Sequence, residues 1–262
     1  MRVLILSSGG KDSAYSTWWA LQRGWEVVGL VTIQVEGDDS MMFQIPSTAI
    51  VALQAASAGI PWLPVTVSGL EEVEMNELER ALEGVVAGSS KRRDPLWTES
   101  ERENVDWPDN WQWPADLQLM RPGEPIDALV AGALRSDYQK TRIERMCERL
   151  GIISYTPLWH NDASSHMRDL VNHGFEVMIT SVTTDGMGEK WVGRTLDHGW
   201  IDALESASIE YRFNVDGEGG EYETTVLNSP WFKRRIKVNH TSHWTGRRGW
   251  ADIWAAELET PE

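Results

Sequence analysis

The sequence contains a single cysteine, Cys147, in 262 residues. One thiol excludes an intrachain disulfide, a thiolate zinc cluster and a four-cysteine iron–sulfur site. Apolar runs are short: none approaches the ~18 residues of a membrane-spanning helix, and the apolar stretch near the N-terminus is too short for the core of a secretory signal. We therefore expect a soluble, cytoplasmic protein in a reducing compartment.

Basic residues are also scarce, with 24 Lys and Arg against 40 Asp and Glu and a formal charge of -16. So acidic a surface disfavours nonspecific binding to nucleic acids and to anionic membranes, and we expect neither as a direct partner. Only six of the basic residues are lysine. This composition suits a salty cytoplasm, or it serves solubility alone, and both explanations stay open.

The most informative segment joins the first apolar strand to a helix through the turn Ser-Gly-Gly-Lys-Asp-Ser. Two consecutive glycines let the backbone bend tightly and approach an anion. The amides of a helix that begins near Asp12 face such an anion from the positive end of the helix dipole. The pattern predicts a phosphate-binding loop formed by Ser8, Gly9, Gly10, Lys11, Asp12 and Ser13. The alternative is a turn that binds no ligand.

Apolar strands alternate with helices through the first half of the chain, which predicts βαβ units and a mostly parallel sheet. Ligands of such sheets bind beyond the carboxyl ends of the strands, where the loop falls. Residues 88–124 interrupt the alternation with four tryptophans and four prolines, and we expect a partly ordered flap there. We expect strand-like pieces at residues 224–227 and 233–239 and a short helix in residues 249–262.

A second cluster follows a predicted strand and begins a helix over residues 136–150. Ser136 or Asp137 is a suitable N-cap. Gln139 and Arg142 share one face of the helix, so an amide and a guanidinium can reach the same cleft. The guanidinium can pair with a phosphate or a carboxylate in bidentate geometry. The alternative is a capped surface helix with solvated side chains.

A third cluster, residues 216–225, places three glutamates and three glycines in a bend before a strand. Carboxylates on such a flexible backbone can hold Mg²⁺, orient an ammonium ion or accept protons. The alternative is a solvated acidic hairpin. Two histidines, His160 and His166, flank Asp162, but their spacing matches no metal-ligand rule. We expect both histidines to be solvated or to cap a helix.

The first loop, with its pattern Ser-Gly-Gly-x-Asp-Ser, resembles the PP-loop of ATP pyrophosphatases, which cleave ATP between the α and β phosphates. Together with Gly-Glu-Gly-Gly-Glu-Tyr-Glu-Thr at residues 217–224 and the segments 157–159 and 226–233, it makes the chain similar to the diphthine ammonia ligase family. The resemblance covers most of residues 1–238 outside the insertion. The chain departs from the family pattern in the length of the insertion and at Gln44, where a histidine is common.

This resemblance implies an α/β fold with two domains. Residues 1–158 are expected to form a parallel-sheet domain of the adenine nucleotide α-hydrolase-like (HUP, PP-loop) type that binds ATP and carries the insertion. Residues 159–245 are expected to form a smaller α/β substrate domain, followed by a tail over residues 246–262.

The resemblance also implies an activity: ATP and ammonium, with Mg²⁺, convert the carboxylate of diphthine on elongation factor 2 into an amide through an acyl adenylate, releasing AMP and pyrophosphate. Catalytic roles are then expected for Lys11, Asp12, Glu221 and Glu223, with Asp12 also a metal ligand. ATP would contact the loop of residues 8–13 and Gly132. Substrate-binding roles are expected for Ser136, Asp137, Tyr138, Gln139, Arg142, Glu218, Gly220 and Tyr222.

No cysteine stands in a nucleophile motif for an internal glutaminase, so free ammonium is the expected nitrogen source. Two alternatives to this function stay open. One is another PP-loop ATP-dependent ligase or a tRNA-modifying enzyme. The other is a nucleotide-binding sensor that performs no turnover.

Overall fold

The structure is a computed structural model that describes residues 1–35, 47–68, 73–88, 96–120 and 125–260. Gln44 lies outside these residues. The strands are β1 (Arg2–Leu6), β2 (Glu26–Val35), β3 (Trp62–Val67), β4 (Ala128–Val130), β5 (Ile153–Tyr155), β6 (Glu176–Val182), β7 (Tyr222–Asn228), β8 (Ile236–Thr245) and β9 (Arg248–Leu258). The helices are α1 (Lys11–Gln22), α2 (Ser47–Ala58), α3 (Glu74–Val86), α4 (Glu99–Glu103), α5 (Asp137–Leu150), α6 (Ala163–Asn172) and α7 (His198–Tyr211).

Strands β1 to β5 form a parallel sheet in the order β3-β2-β1-β4-β5, as the α/β pattern predicts. The central strands are apolar runs because helices cover both faces of the sheet. Val3 and Ile5 of β1 belong to one core cluster, whereas Leu4 belongs to the cluster on the opposite face. From β1 the chain builds outward to β3 and then returns to the other side of β1. The strand order therefore reverses between β1 and β4, which is where such sheets bind ligands.

Helix α5 begins and ends where its sequence predicts. The hydroxyl oxygen of Ser136 accepts a hydrogen bond from the amide of Gln139 at 3.3 Å, and Gly151 ends the helix in the left-handed conformation. Both features satisfy backbone groups that a helix end leaves unpaired. Within the described ranges, no helix has the length and apolar character needed to cross a membrane.

Strands β6 to β9 form a second, antiparallel sheet in the order β7-β6-β9-β8. The short helix expected in residues 249–262 is wrong, because this segment forms most of β9. Ala251 and Ile253 are buried, whereas Trp250 and Trp254 are more exposed, an alternation typical of a half-buried strand. Strand β9 pairs with β8 along the whole hairpin. This pairing outweighs the helix propensity of the Ala and Glu residues near the end of β9.

The described part of the insertion, residues 96–120, packs against both sheets. Leu119 forms a parallel bridge with Trp62 of β3. Trp111 is 4% exposed, and its indole nitrogen donates a hydrogen bond to the carbonyl of Ile253 in β9 at 3.1 Å. This part of the insertion is therefore a packed connection between the sheets and not a free flap.

Candidate active site

A cavity of about 350 Å³ opens where β1 and β4 end, at the point where the strand order reverses. Its walls come from the glycine-rich loop after β1, the first turn of α1, the loop after β4, one face of α5 and one residue of the acidic bend before β7. From the residues assigned by sequence, the cavity brings together Ser8, Asp12, Ser13, Gly132, Gln139 and Glu218.

The glycine-rich loop is held in place by β7 and α2. The amide of Val226 donates to the carbonyl of Gly9 at 3.0 Å, and the amide of Lys11 donates to the hydroxyl oxygen of Thr224 at 3.2 Å. The side-chain amide of Gln54, which is 1% exposed, donates to the carbonyls of Gly9 and Val226, both at 2.9 Å. The two sheets therefore meet in a hydrogen-bonded seam at this loop.

The carboxylate of Asp12 has a donor on each oxygen. Lys11 Nζ lies 2.8 Å from Oδ2, and His166 Nε2 lies 2.8 Å from Oδ1. The side chains of Lys11 and His166 are 6% and 1% exposed, whereas that of Asp12 is 25% exposed. The expectation that His166 is solvated or caps a helix is wrong, because its ring reaches from α6 to this loop. His160 is exposed.

The loop after β4 is tied to the acidic bend. Arg135 donates from its guanidinium to Asp216 Oδ2 at 2.6 Å and from its backbone amide to Glu218 Oε1 at 3.0 Å. The side chain of Asp216 is 0% exposed, so this ion pair is buried at its acidic end. Glu218 is thereby fixed through one carboxylate oxygen at the wall of the cavity.

The other residues of the bend make different contacts. Glu221 Oε1 accepts hydrogen bonds from the backbone and side-chain amides of Asn214 at 2.8 and 2.9 Å. Tyr222 is buried, and its hydroxyl donates to a backbone carbonyl of the bend at 2.6 Å. Gly220 is exposed, and its carbonyl accepts from a threonine hydroxyl. Glu223 is an exposed residue of β7. Glu221 therefore stabilises the bend, while Glu218 lines the cavity.

Helix α5 also borders a second cavity, of about 240 Å³. The two cavities share apolar lining residues from the ends of β1 and β2. Tyr138, Gln139 and Arg142 line this second cavity. The guanidinium of Arg142 lies 4.0 Å from the centroid of the Tyr138 ring. Ser136 is the N-cap of the helix, and Asp137 is exposed in its first turn.

Two carboxyl groups of the site have opposite pKa shifts. Burial raises the pKa of Asp12, but the positive charge of Lys11 and the hydrogen bond from His166 outweigh that effect, so the net pKa is lowered. For Glu218, burial raises the pKa, and the negative charge of Asp12 adds to the rise against an opposing hydrogen bond from the Arg135 amide. Asp12 is therefore an ionised carboxylate, and Glu218 holds its proton more tightly than a solvated glutamate.

The residues around the loop fit a polyphosphate with an accompanying divalent cation. Ser8 and Ser13 supply hydroxyls at the cavity wall, and α1 presents its N-terminus there. Lys11 does not line the cavity, but its buried ammonium supplies a positive charge next to Asp12. Among the described residues, no group of three or more His, Cys, Asp and Glu side chains could hold a metal. Mg²⁺ at phosphate sites needs only one or two carboxylates, since phosphate oxygens and water complete its shell. Asp12, ionised and partly exposed, fits that role.

Sequence reasoning missed three side chains that organise the site: His166, Arg135 and Gln54. His166 and Asp12 are 154 positions apart, and Arg135 and Asp216 are 81 positions apart. Arg135 stands in the strand-end loop of the second cluster, so its position was a usable signal. No local pattern distinguishes His166 or Gln54, because their partners are brought near only by the tertiary fold.

A five-stranded parallel sheet with a glycine-rich strand-to-helix loop at its reversal point defines an α/β protein of the kind that binds nucleotides. Models of two protein families match the chain: the diphthamide synthase N-terminal domain at residues 1–92 and 116–154, and the diphthamide synthase C-terminal domain at residues 162–258. The chain therefore belongs to the diphthamide synthase, or diphthine–ammonia ligase, family of enzymes.

Named relatives agree with this membership. The diphthine–ammonia ligase of Rattus norvegicus is 32% identical over 247 residues, which cover 91% of this chain and 83% of that protein. The Homo sapiens protein of the same name is 31% identical with the same coverage. The Schizosaccharomyces pombe protein is 29% identical, and the match covers 100% of this chain and 40% of that protein.

A solved structure described as a predicted subunit of tRNA methyltransferase from Methanocaldococcus jannaschii aligns with 88% of this chain and 98% of that chain, with a TM-score of 0.39 and 15% identity.

Proposed function

We propose that this protein uses ATP and ammonium to convert the carboxylate of diphthine on elongation factor 2 into the amide of diphthamide, releasing AMP and pyrophosphate. One observation carries the chemistry: a single cavity joins Ser8 and Asp12 of the loop with Gly132 and Glu218. Membership of the diphthine–ammonia ligase family supports the choice of substrate.

The first step activates the carboxylate, which is a poor electrophile. A carboxylate oxygen attacks the α-phosphorus of ATP, the bond to the bridging oxygen breaks, and pyrophosphate leaves. The hydroxyls of Ser8 and Ser13, the charge of Lys11 and the N-terminus of α1 stabilise the negative charge that develops on the departing phosphates. Asp12 would hold the Mg²⁺ that accompanies the nucleotide, and the bound ion would supply further neutralisation of the phosphate charge.

The second step forms the amide. Ammonium loses one proton to become ammonia, the nitrogen attacks the acyl carbon, and a second proton leaves as the bond to AMP breaks. Glu218 lines the cavity, and burial raises its pKa, so its carboxylate binds a proton more tightly than a solvated glutamate does, which suits a proton acceptor in this step. Glu223 of β7, expected from the sequence to be catalytic, is proposed here to bind ammonium. Glu221 supports the bend through Asn214.

The nitrogen source in this proposal is free ammonium. Cys147 is 1% exposed, and burial raises the pKa of its thiol to about 11. A buried, protonated thiol is a poor nucleophile, so it does not suit the release of ammonia from glutamine.

Substrate contacts are proposed for α5 and for the domain that follows it. Tyr138, Gln139 and Arg142 line the cavity adjoining the phosphate loop and are proposed to bind the modified side chain, with Ser136 and Asp137 at the start of the same helix. We place the boundary between a nucleotide-binding domain and a substrate domain near residue 158.

The decisive assay mixes the protein with ATP, Mg²⁺, ammonium and diphthine-bearing elongation factor 2. We expect AMP and pyrophosphate to form in equal amounts and the mass of the factor to change from that of the acid to that of the amide. Asp12→Ala is the matched inactive variant. Accumulation of ADP in place of AMP, an absolute requirement for glutamine, or turnover with tRNA and none with the factor would each overturn the proposal.

A further inference from the structure

His166 is a buried residue of α6, and its one side-chain hydrogen bond within the described part of the chain joins Nε2 to Oδ1 of Asp12 at 2.8 Å. The ring is packed edge-on against Tyr15, with 5.0 Å between ring centroids. Its backbone amide donates to the carbonyl of Asp162 at 2.9 Å, and the Asp162 side chain caps the same helix. The ring is therefore held by packing and by a well-anchored helix.

The hydrogen-bond pattern assigns the tautomer of this ring. An ionised carboxylate has no proton to donate, so Nε2 carries the hydrogen that Asp12 accepts. Nδ1 of His166 is buried and has no hydrogen-bond partner within the described residues. The hydrogen bond to Asp12 therefore uses the hydrogen on Nε2, whereas a hydrogen on Nδ1 would be a buried donor without an acceptor among the described residues.

The two donors to Asp12 differ in how easily they can leave. Lys11 bonds to Oδ2 through an ammonium group at the end of a flexible four-carbon stem, and an arriving phosphate competes for that charge. Both side chains are buried, but the rigid imidazole of His166 has no such stem, packs edge-on against Tyr15 and is carried by a different helix, α6. Oδ1 is thus the fixed oxygen of Asp12, and Oδ2 is the exchangeable one.

We propose that His166 is a positioning residue that holds Asp12 through Oδ1, so that Oδ2 is presented to the divalent cation accompanying the phosphates. This inference rests on the proposed function, because it assumes a nucleotide with its cation in the cavity. His166 acts through Asp12 and touches neither the nucleotide nor the reacting atoms.

Two substitutions separate the hydrogen bond from the packing. His166→Leu keeps an apolar side chain of similar reach and removes the donor, whereas His166→Gln places an amide donor near the position of Nε2. His198→Leu, at an exposed histidine that begins α7, is the matched control. Circular dichroism and thermal unfolding establish that each variant is folded.

The measurement is equilibrium binding of ATP, titrated with Mg²⁺ in the absence of any protein substrate. In His166→Leu we expect the Mg²⁺ concentration for half-maximal ATP binding to rise by about 10-fold, the usual scale for losing a partner of a metal ligand. His166→Gln should recover most of this loss, and ATP binding without Mg²⁺ should not change. In an Asp12→Asn background, His166→Leu should add nothing further.

Three results would overturn the proposal: an unchanged Mg²⁺ dependence in His166→Leu, an equal loss of ATP binding with and without Mg²⁺, or a full additional effect in the Asp12→Asn background. If His166→Leu does not fold, the test uses His166→Gln alone. The proposal then requires that the Mg²⁺ concentration for half-maximal ATP binding in this variant stay close to the wild-type value, and a large rise would overturn it. Failure of the proposed function has a different signature: wild-type protein would bind no ATP, or would bind ATP and Mg²⁺ normally without forming AMP.

Discussion

The backbone amide of Val226 donates a hydrogen bond of 3.0 Å to the carbonyl of Gly9, and this contact joins the second sheet to the loop of the first. Beside it, a Cβ atom on Gly10 would lie 3.2 Å from the carbonyl oxygen of Thr224, closer than ordinary contact. The absence of a side chain at this position therefore permits the approach of β7. The proposed phosphate site and the contact between the two sheets depend on the same turn.

Gly132→Ala should weaken both folding and nucleotide binding. A Cβ at Gly132 would lie 2.8 Å from the carbonyl carbon of Asp12 and 2.9 Å from the amide nitrogen of Ser13, so the loop after β4 must move away from α1. We expect the free energy of unfolding to fall by about 1–3 kcal/mol and ATP affinity to fall with it. Urea unfolding and ATP titration measure the two effects. Gly188→Ala, whose Cβ meets no atom within 4 Å, should change neither, and equal behaviour of the two variants would contradict the close approach.

Gln54→Met should destabilise the seam between the sheets. The side-chain amide of Gln54 donates to two carbonyls, those of Gly9 and Val226, and methionine has a similar shape without donors. We expect a loss of about 1–3 kcal/mol in the free energy of unfolding, the usual cost of leaving buried polar groups less well paired. Gln22→Met, at an exposed position near the end of α1, is the control. If the two variants melt at the same temperature, the bridging role is wrong.

Glu218→Gln should gain stability relative to the wild type as the pH rises. Burial raises the pKa of Glu218 above its usual value of 4.5, so the folded state binds this proton more tightly than the unfolded chain. Ionisation therefore costs folding free energy, and the cost grows as the pH rises from 4.5 through the folded-state pKa. Glutamine keeps an acceptor for the Arg135 amide and removes the charge. Urea unfolding of both proteins across this range tests the trend, and a difference that does not vary with pH would refute it.

Arg135→Leu should cost more than the loss of an ordinary surface ion pair. Asp216 is 0% exposed and would lose its guanidinium partner, but the Arg135 side chain is itself 32% exposed. We expect about 2–3 kcal/mol less stability, below the full cost for a wholly buried pair. Arg149→Leu, which breaks a pair with Glu79 and whose arginine is 51% exposed, should cost about 0–1 kcal/mol. Chemical denaturation of both variants gives the comparison, and similar losses would show that burial of Asp216 is unimportant.

Cys147 should be inert in the folded protein and reactive in the unfolded chain. Burial raises the pKa of its thiol to about 11, against a smaller opposing effect of a hydrogen bond with Ser154. Because the thiolate is the reacting form, a disulfide reagent at mildly alkaline pH should modify native protein far more slowly than urea-unfolded protein. Rapid modification of the native thiol would mean that α5 opens readily from the core.

Much of the first half of the chain was predictable because its signals are local. The apolar run of β1, the two glycines after it, the Ser136 cap and the Gly151 stop each act within a few residues, so the sequence alone predicts the strand, the loop and helix α5. Residues 249–262 were mispredicted because local helix propensity there competes with a long hairpin whose partner strand decides the outcome.

The sequence by itself determined the mostly parallel α/β sheet, the position of the glycine-rich loop at the carboxyl end of the first strand and the resemblance to one enzyme family. Only the tertiary structure decided which polar groups face that loop: His166 on Asp12, Gln54 on Gly9, and Glu218 rather than Glu221 at the cavity wall. The physical reason is distance along the chain. Neighbouring residues determine local hydrogen bonds and periodic burial. The contact between His166 and Asp12, 154 positions apart, forms only once the two sheets have packed together.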